Sequence, residues 1–141
     1  MIRALIDTNV ILDLLAKREP FHSDSEQIFS LADLGQVELV VSTLSIVNSH
    51  YILKEQLKKK NSRAIIGKFK VLVESFELSD KILELALNDS EFKDFEDGIQ
   101  YYTGLESQCK IIVTRNLKDF KNSTLPVMSP KEFLVKVKAE R

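Results

Sequence analysis

The stretch ALIDTNVILDLL, Ala4 to Leu15, changes period in its middle. Ile2 to Ile6 is an apolar run of strand length, and Val10, Ile11, Leu14 and Leu15 then fall at helical spacing. A short buried strand therefore passes into a helix, with Asp7 at the junction. An unpaired buried carboxylate is costly, so Asp7 has to be exposed, hydrogen-bonded or matched by something positive.

The same alternation continues downstream. Pro20 ends the first helix, and Ser23-Asp24-Ser25-Glu26 has the pattern of a capping box. It predicts a helix carrying Ile28, Phe29, Leu31, Ala32 and Leu34, closed by Gly35. Val37 to Ser42 reads as a strand, and Thr43 to about Lys59 as a helix. Ser62 is expected to cap a helix carrying Ile65, Ile66, Phe69, Leu72 and Val73. A weak strand over Phe76 to Leu78 and a helix from Ser79 to Asn88 follow. Asp94 to about Gln108 is helical, Lys110 to Thr114 is a clear strand, and Pro126 to Met128 a short one. Ser129-Pro130-Lys131-Glu132 opens the last helix, a capping box with proline at the first helical position. Such alternation predicts an α/β fold with a mainly parallel sheet of about four to five strands flanked by helices. No repeat, low-complexity tract or linker interrupts it, so a single domain over residues 1–141 is expected.

Hydrophobic residues make up 44% of the 141 and charged residues 29%, which places the chain among folded proteins rather than disordered ones. Its formal net charge is −1, so any surface for nucleic acid must be local. One cysteine, Cys109, allows no intrachain disulfide and no thiolate metal cluster. It suits a reducing cytosol and the role of a small buried hydrophobe. Asp7 and Asp13 interrupt any secretory apolar run, and no stretch is long enough to span a membrane. A cytoplasmic protein is expected.

Ligands of parallel α/β sheets bind outside the carboxyl ends of the strands. Asp7 stands at one such end, and Thr114, Arg115, Asn116 and then Asp119 follow another. A second acidic stretch, DFEDGIQYY from Asp94 to Tyr102, opens a helix. Each acid has a plain structural reading. Asp94 suits an N-cap, Glu96 and Asp97 suit the positive end of the helix dipole, and Asp119 suits a surface turn. Together they read differently, because the topology brings Asp7, Asp97 and Asp119 to one edge. Three carboxylates with nothing basic between them suit a hard cation such as Mg²⁺ or Mn²⁺. On this reading Asp7 is exposed, and a cation is its counter-charge.

Other chemistries lack their residues. There is no glycine-rich phosphate loop and no GxSxG elbow. His22 and His50 lack metal-ligand spacing, and Asn9 stands where a phosphoryl-aspartate enzyme would carry its second aspartate. From Lys54 to Lys70 the chain is basic, with Lys58, Lys59, Lys60 and Arg63 at its centre. That run is either a solvated helix face or a surface that attracts phosphates.

LIDTNVILDLL, VVSTLSIVNSHYIL from Val40, DFEDGIQYYTGLESQ from Asp94, IIVTRNLKDF from Ile111 and LPVMSPKEFL near the end form an ordered set. In that order they resemble the PIN domain, the fold shared by VapC-type ribonuclease toxins. The resemblance implies a three-layer α/β/α fold and a metal-dependent endoribonuclease, the toxin of a toxin–antitoxin pair. Its partners would be RNA and a cognate antitoxin, and relatives commonly form homodimers. It also assigns Asp7, Asp97 and Asp119 to a Mg²⁺ or Mn²⁺ site. Apart from the resemblance, the residues themselves suggest that Asn9, Asp94, Thr114 and Asn116 would support the acids or position substrate, and that Lys58, Lys59, Lys60 and Arg63 would contact nucleic acid. Asn116 stands where many relatives carry an aspartate, so the late acid falls at Asp119, and the main departure is Asn48, where a glutamate is usual. It offers a carbonyl oxygen but no charge, which favours one ion over a pair and leaves Asp94 or Glu96 to compensate. The alternative is a catalytically weak nucleic-acid-binding or regulatory module.

Overall fold

A computed structural model describes residues 1–140. Five strands form the sheet: β1 (Ile2–Ile6), β2 (Val37–Ser42), β3 (Glu74–Phe76), β4 (Ile111–Val113) and β5 (Val127–Met128). Their order is β3-β2-β1-β4-β5, and every neighbouring pair is parallel. The helices are α1 (Thr8–Leu15), α2 (His22–Asp33), α3 (Thr43–Tyr51), α4 (Ser62–Lys70), α5 (Asp80–Leu87), α6 (Phe95–Glu106) and α7 (Pro130–Ala139). None of the helices among the described residues is long and apolar enough to cross a membrane.

Alternation along the strands builds two cores, because successive side chains point to opposite faces. Ala4, Ile6, Leu39, Val41, Ile111 and Val113 face one side and pack with Val10, Ile11, Ile28, Phe29, Phe69 and Phe133 of α1, α2, α4 and α7. Leu5, Val40 and Ile112 face the other and meet Phe92, Tyr101, Cys109 and Phe120. There α5 and α6 join through Ile82, Ala86 and Ile99. Buried on both faces, the central strands read as continuous apolar runs, as parallel sheets require. This is the three-layer α/β/α architecture expected of the sequence.

Four local expectations are corrected. The Ser23–Glu26 pattern is not a capping box. The backbone N–H groups of Phe21 and His22 both donate to Arg18 O (2.9 and 2.8 Å), so α2 starts one residue before Ser23. Glu26 instead pairs with His22, at 3.3 Å. Thr43 to Lys59 is not one regular helix. After Tyr51 the hydrogen bonds widen into a π-helical turn over Ile52–Gln56, closed by Leu57 N–H on Ile52 O at 3.1 Å. Ser62 is the first residue of α4 rather than its cap. It is buried, with Oγ 3.2 Å from His50 Nε2, and Asn61 takes the cap position without a side-chain bond. The third strand lies two residues earlier than expected, because Leu78 N–H is taken by Thr43 Oγ1 (3.0 Å). The other elements agree more closely, although α1 ends at Leu15, ahead of Pro20, and α4 at Lys70, ahead of Leu72 and Val73. Ser129 and Glu132 form the reciprocal capping box of α7, and Gly35 closes α2 at φ +72°, which favours glycine.

Candidate functional site

Asp7 ends β1 and caps α1. Its Oδ1 accepts from Thr8 N–H (2.8 Å), and its Oδ2 accepts from Thr114 Oγ1 (2.8 Å) and Asn9 Nδ2 (3.3 Å). Asn9 Nδ2 also reaches Thr114 Oγ1 at 3.2 Å, and its Oδ1 accepts from Arg115 N–H at 3.3 Å. Asn116 N–H donates to Thr114 Oγ1 at 3.0 Å. The loops after β1 and β4 are thus laced together around one carboxylate. Asp7 is only 7% exposed, which corrects the expectation that it lies open at the strand end. It is buried and hydrogen-bonded by neutral donors. Burial still dominates and raises its pKa above the ordinary carboxylate value, against the lowering effect of Thr114 and Thr8 and with the added charge of Asp119 and Glu96.

Asp97 lies in the first turn of α6, half-buried. Its pKa is pushed up to about 7, first by burial and then by the charges of Asp94, Asp7, Asp119 and Glu96. Asp94 caps α6, accepting from the N–H groups of Glu96 (2.8 Å) and Asp97 (3.4 Å). Asp119 is exposed on a 3₁₀ turn over Leu117–Phe120. The three acids singled out in the sequence therefore feel one another across the carboxyl edge of the sheet. Asn48 is half-buried on α3, one turn beyond Ser45. Lys58, Lys59, Lys60 and Arg63 gather in a cleft of their own, away from this edge.

Two arginines stand nearby in sequence, and both are engaged elsewhere. Asp13 of α1 is fully buried and receives Arg18 Nε at 3.0 Å and Arg115 Nε at 2.6 Å. Arg115 also stacks over the Phe21 ring, 3.9 Å from its centroid. The sequence reading missed this cluster. Its signal was there: Asp13 follows Val10 by three residues, which places a charge on the apolar face of a helix. It also missed Gln100 of α6. Gln100 Nε2 bonds Ser45 Oγ (2.6 Å), which in turn accepts from Thr8 Oγ1 at 2.8 Å. That network ties α6, the helix of Asp97, to α3 and α1.

The acidic edge fits a hard divalent cation in donor type and charge. Its donors are oxygens, its charge is uncompensated, and burial with the neighbouring acids pushes the Asp97 pKa up to about 7. Among the described residues no three His, Cys, Asp or Glu side chains already stand at ligating separation. The raised pKa of Asp97 also has a stability consequence. Its folded value lies above the unfolded value of 3.8, so the folded protein binds the extra proton between about pH 4 and 7. Metal-free protein is therefore expected to lose about 1–2 kcal/mol as pH rises from 5 to 7.5, once solvent screening is allowed for. Thermal denaturation in a chelator checks this. Added Mg²⁺ or Mn²⁺ should restore the loss at pH 7.5 and have little effect at pH 5, because the ion competes with the proton. A Tm that rises with pH would count against it.

Comparison with known proteins agrees with the architecture. A curated ribonuclease, VapC1 of Aquifex aeolicus, is 28% identical over 134 residues, covering 93% of this chain and 92% of its own length. The toxin–antitoxin complex from Klebsiella pneumoniae contains a chain of similar fold, with TM-score 0.64 and 23% identity over 90% of this chain and 97% of that one. VapBC2 from Rickettsia felis, bound to a DNA fragment of its promoter, superposes with TM-score 0.67 and 16% identity over 91% of this chain and 98% of that one. Both structures show a shared fold. The PIN domain model matches residues 3–118, running from β1 through the turn that carries Lys118, and on that match this chain belongs to the PIN domain family.

Proposed function

We propose that this protein is a metal-dependent endoribonuclease of PIN type, the toxin of a toxin–antitoxin pair. One observation carries the reading: Asp7, Asp97 and Asp119 act on one another at the carboxyl edge of the sheet, while the neighbouring arginines are bound to Asp13. The ribonuclease relative supports the substrate class, and the fold neighbours from toxin–antitoxin complexes support the partner.

In this reading Asp7 and Asp97 would hold Mg²⁺ or Mn²⁺, and Asp119 would ligate it or orient the attacking water. When bound, such an ion polarises a phosphodiester oxygen and lowers the pKa of a coordinated water. Thr8, Thr114 and Asn9 fix the Asp7 carboxylate beforehand, so it spends little reorganisation on binding. Asp97, its pKa raised to about 7, would bind the ion as the carboxylate. Asp94 holds the first turn of α6 in place, and Asn116 and Asn48 are available to the substrate phosphate. With Asn48 in place of an acid, three carboxylates favour a single ion. The protein would pair with an antitoxin and form a homodimer in the cytoplasm.

The test is cleavage of RNA by the purified protein with and without divalent ions. Cleavage that needs Mg²⁺ or Mn²⁺ and stops in a chelator is expected. Asn48 favours a second reading, a catalytically weak nucleic-acid-binding module. Metal-replete protein that binds RNA without cutting it would select that reading.

A further inference from the structure

One sizeable cleft lies apart from the acidic edge. It lies where α3 and its π-helical turn meet the start of α4, and its volume is about 710 Å³. His50, Lys54, Lys58, Lys59, Lys60 and Arg63 line it. Lys54 has Glu55 at 4.0 Å; among the described residues Lys58, Lys59, Lys60 and Arg63 have no carboxylate within that distance. The first turn of α4 opens into the same cleft with no side-chain cap and no acid, so its backbone adds positive potential. Beside the wall stands Tyr51, 57% exposed, its ring edge-on to His50 with centroids 5.4 Å apart.

We propose that this cleft anchors the sugar–phosphate backbone of single-stranded RNA, with Tyr51 as a stacking platform for a base. The proposal rests on the nuclease reading above and says where that substrate is held. Without a cation the acidic edge repels a polyanion. Asp7, Asp94, Glu96, Asp97 and Asp119 all add negative potential there, and the chain as a whole carries −1. Positive charge must come from elsewhere on the surface, and here it is concentrated and unpaired. An acidic peptide would satisfy the cations but would make no use of the exposed aromatic ring. Cations beside an aromatic face are the combination that holds single strands.

Placement also fits. Ser45, in the first turn of α3, bonds Thr8, the residue after Asp7. His50 lies five residues further along, about 7–8 Å of helical rise. The wall of the cleft is thus carried by the same helix that contacts the residue after Asp7.

The experiment measures binding of a labelled single-stranded RNA oligonucleotide by fluorescence anisotropy between 50 and 200 mM salt. Full-length Asp7→Asn protein keeps the RNA intact during the titration. The variant Lys58→Gly/Lys59→Ala/Lys60→Ala is expected to bind about 10–100-fold more weakly at 50 mM salt. The slope of log affinity against log salt should become shallower by about 2, since each phosphate contact on a single strand contributes about 0.7. Glycine is chosen at position 58 because Lys58 has φ +54°. If the triple variant fails to fold, Lys59→Ala and Arg63→Ala separately carry the test, each with a slope change of about 0.7. Tyr51→Leu should weaken binding several-fold and leave the slope unchanged, whereas Lys138→Ala on α7 should alter neither. Unchanged affinity and slope in the folded lysine variants would overturn the proposal. So would loss of binding to a polyglutamate peptide with RNA binding intact, which would assign the cleft to a protein partner. Binding is read without cleavage, so a parent protein that never cuts RNA refutes the nuclease reading and not the cleft.

Discussion

Asp7→Asn is expected to reduce RNA cleavage by at least about 10²–10³-fold while leaving the fold intact. The size follows from removing one fixed charge aimed at the reacting centre in a desolvated site. The fold should survive because asparagine is as good an N-cap as aspartate, and the amide oxygen introduced there could still accept from Thr8 N–H. Stability should change little at neutral pH, because relief of the buried charge is offset where the new amide NH₂ meets the Asn9 Nδ2 and Thr114 Oγ1 donors that Oδ2 accepted. Burial already works against the Asp7 charge, and the repulsion from Asp119 and Glu96 goes with it. The measurements are a cleavage time course with Mg²⁺ or Mn²⁺ and a thermal melt in chelator. Full cleavage by folded Asp7→Asn protein would remove Asp7 from the reaction. A collapsed melt would mean that the carboxylate is structural.

Asp13→Ala should destabilise the protein strongly. The carboxylate is fully buried, and it is shared by Arg18 and Arg115, whose side chains are 40% and 26% exposed. Removing one partner of a buried ion pair leaves the others uncompensated, at a cost of about 3–5 kcal/mol. For a domain of this size that lowers Tm by roughly 10–20 °C. The loss should spread to the site. Arg18 Nη2 donates to the Asn9 carbonyl at 3.2 Å, and Arg115 N–H donates to Asn9 Oδ1. Asn9 in turn steadies Asp7. Urea denaturation gives the stability change, and a double-mutant cycle with Arg115→Met should show strong coupling, because the two residues share one network. A cost under about 1 kcal/mol would mean that water or a neighbouring cation replaces the pairing.

The order of elements was legible because it depends on periodicity. Val37 to Ser42 and Lys110 to Thr114 are apolar on both faces, and the helices between them show one-sided apolar spacing. Ser129 to Glu132 announced α7 correctly because both halves of its capping box lie within four residues. Ser23 to Glu26 had the same letters and failed. There the competing partners were Arg18, whose carbonyl starts the helix early, and His22, which takes Glu26. A local pattern decides a helix start only when no neighbour offers its groups something better.

By itself the sequence determined the parallel α/β sheet and the acids at its carboxyl edge, since a strand that runs into a helix must end there with whatever residue stands at the junction. Tertiary structure alone decided how each acid is kept. Asp7 turned out buried and bonded by Thr8, Asn9 and Thr114; Asp13, given no role by the sequence, took both arginines; and Lys58, Lys59, Lys60 and Arg63 were drawn into one cleft. The physical reason is that hydrophobic spacing is a property of neighbours along the chain, whereas desolvation and charge pairing depend on residues a hundred positions apart, as between Asp13 and Arg115, that meet only when the chain has folded.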